Sequence, residues 1–203
     1  MKWTNPGHEF EIIGHNLKGM ENIYIYGAGF SGWRAYEIIT PLLRWLHWKI
    51  TFIDVDEEKQ RSGLMGLKVL SPEALGTLDK SKDFVVVCDN EENKTTMMKN
   101  AKDAGFVQMQ NLFDFRSFFC TYLSVHFLYN LNMVCIFNMC IGPSSICNLN
   151  CNGCVSFMPY RKKHVTYELQ SLYKSIDLFF QNVDIVCSFV FGESESLLYP
   201  NLL

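Results

Sequence analysis

Hydrophobic and polar positions alternate in blocks that predict strands and helices in turn between Asn22 and about Phe115. The apolar run IYIY follows Asn22, and the next segment, WRAYEIITPLLRWL, carries apolar residues at helical spacing. A second apolar run, Lys49 to Ile53, completes a strand–helix–strand unit of the length that a parallel crossover needs. Because Pro41 cannot donate a hydrogen bond inside a helix, we expect this helix to kink or end near Thr40.

The same alternation continues downstream. Ser71 is a candidate N-cap with Pro72 at the first helical position, which predicts a short helix. The β-branched run from Phe84 to Cys88 is typical of a strand buried on both faces. A helix is then predicted from Glu91 to Ala104, ended by Gly105, and the next strand from Phe106 to Met109.

These blocks divide the chain into four segments. Residues 1–19 show no clear period and form a lead-in, with one short strand predicted at Phe10 to Ile13. Residues 20–116 predict a small doubly wound α/β domain, because strand and helix alternate throughout. Residues 117–139 are a connecting segment, and residues 140–203 form a second, smaller domain.

The connecting segment raises the question of a membrane span. No Asp, Glu, Lys or Arg occurs between Arg116 and Arg161, and the part from Phe118 to Ile141 is long enough to cross a bilayer. We reject a span because four polar residues interrupt this stretch: His126, Asn130, Asn132 and Asn138. The pattern instead predicts a helix and then a buried strand from Met133 to Met139. After Arg161 it predicts an amphipathic helix, Tyr167 to Phe180, and another buried strand, Val183 to Val190.

Composition limits the possible functions. The chain has 203 residues, of which 48% are hydrophobic and 19% charged, so it can form a folded core. A formal net charge of −3 provides no basic field for a phosphate backbone, and we expect no nucleic-acid partner. The first residues, MKWTNPGHEFEII, lack the pattern of a secretory signal. We therefore expect a cytoplasmic protein whose eight cysteines serve metal or redox chemistry rather than disulfides.

Three glycines follow the first strand as G-x-G-x-x-G: Gly27, Gly29 and Gly32. In a strand–turn–helix context this spacing lets a phosphate approach the helix N-terminus, where unpaired N–H groups and the helix dipole favour negative charge. Asp54, at the end of the next strand, could accept a hydrogen bond from a ribose hydroxyl. The alternative is that these glycines only allow the helix to pack against the strand.

Cys147, Cys151 and Cys154 have the spacing C-x-x-x-C-x-x-C, between a predicted strand and a predicted helix. Three thiolates on one loop can hold three irons of a 4Fe-4S cluster and leave the fourth iron open to a small chelating ligand. The alternative is a structural zinc site, with Cys140 or Cys187 as the fourth thiolate.

This cysteine motif resembles that of the radical S-adenosylmethionine (SAM) superfamily, in which SAM chelates the open iron and is cleaved to a 5'-deoxyadenosyl radical. A second segment, GESESLLYPNL, resembles the superfamily's GGEPLLYPNL, which meets the SAM amino group at the end of the second barrel strand. Aligning LLYPNL assigns this role to Glu195, and aligning the glycine instead assigns it to Glu193. The resemblance implies an electron donor such as flavodoxin or ferredoxin and a small-molecule substrate.

The expected fold is therefore α/β, with a Rossmann-like parallel sheet followed by the first βα units of a partial (βα)6-type radical SAM barrel. Sixty-odd residues are too few for six units of about thirty residues per βαβ step, so the chain looks truncated and incomplete as an enzyme. The first domain is similar to the Rossmann-like domains of bacterial sugar acyltransferases and polysaccharide-biosynthesis proteins, which bind nucleotides or nucleotide-sugars. The resemblances imply a radical SAM enzyme acting on a nucleotide-linked or cell-surface sugar. The alternative is a non-catalytic nucleotide-binding module with a structural zinc site.

Overall fold

The computed structural model describes residues 15–148, 151–152, 154, 160 and 162–192. The chain divides into two compact units, with the boundary between Met133 and Val134. This boundary falls inside the predicted connecting segment 117–139. The strand predicted at Phe10 to Ile13 lies outside the described residues.

The first unit contains a five-stranded sheet in which all neighbouring strands are parallel. Its strands are β1 (Asn22–Tyr26), β2 (Lys49–Ile53), β3 (Val69–Leu70), β4 (Asp83–Val87) and β5 (Leu112–Asp114). The spatial order is β3-β2-β1-β4-β5, which is the order of a Rossmann-like doubly wound sheet. All five residues of β4 are buried, as expected for a parallel strand covered on both faces. The predicted α/β class and parallel sheet are confirmed.

Helices connect these strands. They are α1 (Phe30–Ile39), a 3₁₀ turn (Thr40–Leu42), α2 (Leu43–Leu46), α3 (Glu57–Ser62), a 3₁₀ helix (Pro72–Thr77) and α4 (Glu91–Asp103). The α-helix ends at Ile39, immediately before the 3₁₀ turn that contains Pro41, as predicted from the missing N–H of proline. Helix α4 ends before Gly105, which has a φ of +92°.

The strand predicted from Phe106 to Met109 is wrong, because the fifth strand, β5, begins at Leu112, three residues after Met109. Val107 and Met109 are about half exposed, and Met109 has a φ of 67° that no strand allows. The buried side chain of Asn111 holds this turn: its Oδ1 accepts from the Val107 N–H at 2.8 Å, and its Nδ2 donates to the Lys80 carbonyl at 3.0 Å. The apolar run at residues 106–109 therefore belongs to a turn and not to a strand.

The segment after β5 is part of the first unit's core. It comprises α5 (Phe115–Ser117), a π-helical turn (Phe118–Tyr122) and α6 (Leu123–Leu131). Phe118 is fully buried, with its ring centroid 5.7 Å from that of Phe84 and 6.2 Å from that of Trp48. In the described part of the chain, no helix is both long enough and apolar enough to cross a membrane.

The second unit contains β6 (Cys135–Ile141), α7 (Leu169–Phe180) and β7 (Ile185–Phe191). The two strands pair in parallel, with Cys135 opposite Ile185, so the unit is a βαβ crossover. The predicted burial of both strands is wrong: Asn138 and Cys140 of β6 are exposed, and Phe189 and Val190 of β7 are more than two-fifths exposed. The reason is that the described sheet of this unit has two strands, and two strands shield few of their own side chains. That this crossover is the start of a partial (βα)6-type radical SAM barrel stays a prediction.

Candidate functional site

A pocket of about 240 Å³ lies at the carboxyl ends of the first unit's central strands. Strands β1 and β4 are neighbours, and the chain leaves them towards opposite edges of the sheet, which makes this the topological switch point where open α/β sheets bind ligands. The lining residues come from the ends of β1, β2 and β4 and from α4. They are Tyr26, Gly27, Asp54, Val55, Asp89, Asn93, Thr96, Met97 and Asn100.

The three fingerprint glycines have different structural roles. Gly27 has a φ of +106°, and a Cβ there would lie 2.4 Å from the Cys88 carbonyl oxygen. A Cβ at Gly32 would lie 1.8 Å from the Gly27 carbonyl oxygen, so Gly32 allows α1 to pack against the end of β1. Gly29, the N-cap of α1, has a φ of −89°, and a Cβ there would meet no atom within 4 Å. Packing therefore explains two of the glycines and leaves the third beside open space.

Asp54 fixes the shape of this glycine turn. Its Oδ2 accepts from the Ala28 N–H at 2.6 Å, and its Oδ1 accepts from the Asp56 N–H at 2.9 Å. The Lys59 ammonium lies 3.7 Å from Oδ2. Because a carboxylate has about four acceptor positions, Asp54 can hold the turn and still accept from a ligand. Its proposed bond to a ribose hydroxyl stays a prediction.

The opposite wall of the pocket is one face of α4, which the sequence analysis missed. Asn93, Thr96, Met97 and Asn100 follow the i, i+3, i+4, i+7 spacing and therefore share that face. Asp89 precedes the helix, and its Oδ2 accepts from Asn93 Nδ2 at 3.4 Å. The helical spacing was a usable signal, but only the strand order shows that this face meets the end of β1.

All eight cysteines are free thiols. Cys151 is exposed, and Cys147 and Cys154 are partly exposed, in the segment that follows the carboxyl end of β6. Their donor chemistry suits an iron–sulfur cluster, because none of the three forms a disulfide and all are at least partly accessible. Among the described residues, however, no group of three or more His, Cys, Asp or Glu side chains is arranged to hold a metal. The three cysteines stay predicted ligands, and Glu193 and Glu195 lie outside the described residues.

The two thiols considered as a fourth zinc ligand have partners in the two-stranded sheet. The Cys140 thiol donates to the Gly192 carbonyl oxygen at 2.7 Å. The Cys187 sulfur lies 3.7 Å from that of Cys135, and this hydrogen bond together with burial raises the pKa of Cys135. These contacts favour a packing role for Cys140 and Cys187.

No family model matches the sequence, and no curated protein matches it. Among solved structures, the chain is similar to RSP, a Rex-family repressor, at 18% identity and a TM-score of 0.39, over 51% of this chain and 48% of that one. The same figures hold for RSP in complex with β-NADH. The acetyltransferase domain of PglB from Neisseria gonorrhoeae FA1090, in complex with acetyl coenzyme A, is 23% identical over 43% of this chain and 42% of that one, at a TM-score of 0.37. The chain thus spans less than half of each of these proteins.

Proposed function

We propose that the first unit binds a nucleotide or a nucleotide-linked sugar at the carboxyl ends of β1 and β4. The observation that carries this proposal is Gly29, whose missing side chain is not needed for packing. Gly29 caps α1, and the first N–H groups of a helix attract phosphate through hydrogen bonding and the helix dipole. An absent side chain at this position lets a phosphate reach those N–H groups.

Two glycine variants test this proposal. We would measure the melting temperature of the purified chain with and without UDP-glucose and NAD⁺, each at saturating concentration. Gly29→Ala should abolish the ligand-induced shift, because its methyl group occupies the phosphate path. Gly76→Ala is the matched control, since a Cβ at Gly76 also meets nothing within 4 Å but lies away from the pocket lining. A wild-type chain that responds to neither ligand would overturn the proposal.

We also propose a radical SAM role for the second unit, which the arrangement of its strands supports. The carboxyl ends of parallel neighbours lie at the same edge of a sheet. The cysteine segment follows the carboxyl end of β6, and Gly192 follows that of β7 and donates its N–H to Ile141 at 2.9 Å. The radical SAM resemblance requires this common edge for its cluster loop and its acidic motif.

In this role Cys147, Cys151 and Cys154 would hold the 4Fe-4S cluster, and Glu195 or Glu193 would seat SAM. When bound, the cluster supplies the single electron, received from a flavodoxin or ferredoxin, for reductive cleavage of SAM. The substrate class consistent with the first unit is a nucleotide-linked or cell-surface sugar. The cytoplasm is the location we propose, because thiols stay reduced there.

Anaerobic reconstitution with ferrous iron and sulfide tests the second unit. The wild-type chain should bind about four irons and develop the broad visible absorption of thiolate-bound iron. Alanine at Cys147, Cys151 or Cys154 should remove most of this absorption, whereas alanine at the exposed Cys120 should leave it unchanged. One tightly bound zinc with no iron uptake would favour the non-catalytic zinc module instead.

A further inference from the structure

The charged side chains that line the pocket are all acidic. Asp54 and Asp89 contribute two carboxylates, and the described lining includes no Lys, Arg or His. Lys59 lies 3.7 Å from Asp54 Oδ2 but does not line the pocket. An anionic group entering this space would therefore meet Asp89 and the Lys59-paired Asp54, with no cation among the described lining residues, which is unfavourable in a partly enclosed site.

Both carboxylates are held in place and retain acceptor capacity. Asp54 accepts two backbone N–H groups, from Ala28 and Asp56. Asp89 accepts from the Asn90 N–H at 2.6 Å and from the Asn93 amide at 3.4 Å. Each carboxylate has about four acceptor positions. Both can therefore accept further hydrogen bonds from hydroxyl groups of a ligand.

The helical wall adds groups that both donate and accept. Asn93, Thr96 and Asn100 contribute amide and hydroxyl groups from one face of α4. The Tyr26 hydroxyl, on a residue only 2% exposed, accepts from Asn100 Nδ2 at 3.5 Å, which leaves its own hydrogen to donate. Met97 supplies an apolar surface between these polar groups. Carboxylate acceptors, amide and hydroxyl groups and the apolar Met97 in one pocket match the hydroxyls and C–H face of a sugar ring.

We infer that this pocket takes an uncharged, hydroxyl-bearing sugar ring of the bound nucleotide and rejects rings that carry a phosphate or a carboxylate. This inference rests on the proposed nucleotide-binding function. The pocket of about 240 Å³ is smaller than the roughly 300–1,000 Å³ of sites that enclose a drug-sized molecule, so it holds one ring rather than the whole ligand. The phosphates of the ligand stay outside the pocket, at Gly29 and the N-terminus of α1.

Calorimetric titration with two matched ligand pairs tests this selection. NADP⁺ adds a phosphate to a ribose of NAD⁺, and UDP-glucuronate replaces a hydroxymethyl group of UDP-glucose with a carboxylate. In at least one pair the charged member should bind about tenfold more weakly or worse, and that pair identifies the ring in the pocket. Asp89→Asn should reduce the difference in affinity between the neutral and the charged ligand of that pair, because it removes one negative charge while keeping the side-chain shape.

The control is Asp103→Asn, which removes one negative charge from an exposed position at the other end of α4. This variant should leave the difference in affinity between neutral and charged ligands unchanged. The inference fails if the neutral ligands bind but neither pair discriminates, or if Asp89→Asn leaves the discrimination unchanged. If none of the four ligands binds the wild-type chain, the nucleotide-binding function itself fails.

Discussion

The carbonyl oxygen of Gly27 lies 1.8 Å from the point that a Cβ atom at Gly32 would occupy. Helix α1 therefore packs backbone to backbone against the end of β1, and no side chain fits between them. This contact brings the N-terminus of α1 to the edge of the sheet where the pocket opens.

We expect Gly32→Ala to lower the free energy of unfolding by about 3 kcal/mol, because the methyl group must displace a backbone carbonyl. Urea denaturation followed by circular dichroism measures this change. Gly76→Ala should leave stability unchanged or raise it slightly, since its methyl group has open space. Equal stabilities for wild type and Gly32→Ala would contradict the packing described here.

We expect Asp54→Asn to destabilise the first unit by about 1–3 kcal/mol. The two Asp54 oxygens each accept a backbone N–H, and the amide of asparagine must place an N–H donor opposite one of those groups. Urea denaturation measures the loss, and nucleotide affinity should fall with it. Asp103→Asn should change the free energy of unfolding by less than about 0.5 kcal/mol, because its pair with Lys99 is exposed. A similar effect of the two substitutions would mean that Asp54 does not hold the turn.

Stability should fall as the pH decreases from about 6.5 to about 4, in part because of His126. Burial lowers the pKa of this imidazole from its ordinary value near 6.5 to about 4, and the Asn130 amide nitrogen lies 3.1 Å from its Nδ1. Between these values the unfolded chain binds more protons than the folded chain, so acidification favours unfolding. The contribution of neutral His126 to the free energy of unfolding is fully present above pH 6.5 and amounts to about 3 kcal/mol.

The measurement is the free energy of unfolding across that pH range, in wild type and in His126→Gln. The glutamine variant cannot gain a proton, so its stability should depend less steeply on pH. Carboxylates titrate in the same range in both proteins, and their effect cancels in the difference. Identical slopes would show that folding does not lower the pKa of His126.

Two thiols of the first unit should differ in their rate of alkylation. Cys88 is 1% exposed and its burial raises the pKa of the thiol, whereas Cys120 is exposed. Because the thiolate is the reactive form, iodoacetamide should modify Cys120 in the native chain and leave Cys88 unmodified. Peptide mass spectrometry after native labelling measures both, and labelling in concentrated urea, where both react, is the control. Rapid native modification of Cys88 would contradict the packing of β4 against the glycine turn.

Local patterns predicted most of the first unit correctly. The runs at β1, β2 and β4 are short and apolar, and Pro41 and Gly105 end helices for reasons that lie within a few residues. The strand predicted from Phe106 to Met109 is wrong because of a contact between residues distant in sequence. The Asn111 side chain bonds to Lys80, thirty-one residues earlier, and this contact fixes a turn that an apolar run does not indicate.

The candidate site was predicted in part for the same reason. Gly27 and Asp54 line the pocket as the sequence suggested, because a strand, a turn and a helix follow one another in sequence, whereas Gly29 and Gly32 do not line it. Asp89 and Asn100 were missed because they reach the pocket only through the pairing of β1 with β4. Strand order depends on tertiary packing, and a single sequence does not reveal it directly.

The pairing of Asn22 with Asp83 has a consequence for synthesis on the ribosome, because the two residues are 61 positions apart. At about 5–20 residues per second, the first strand is synthesised roughly 3 to 12 seconds before its second neighbour. During that time one side of an apolar strand in the nascent polypeptide lacks its hydrogen-bonding partner, and an unpaired strand edge is prone to pair with other chains.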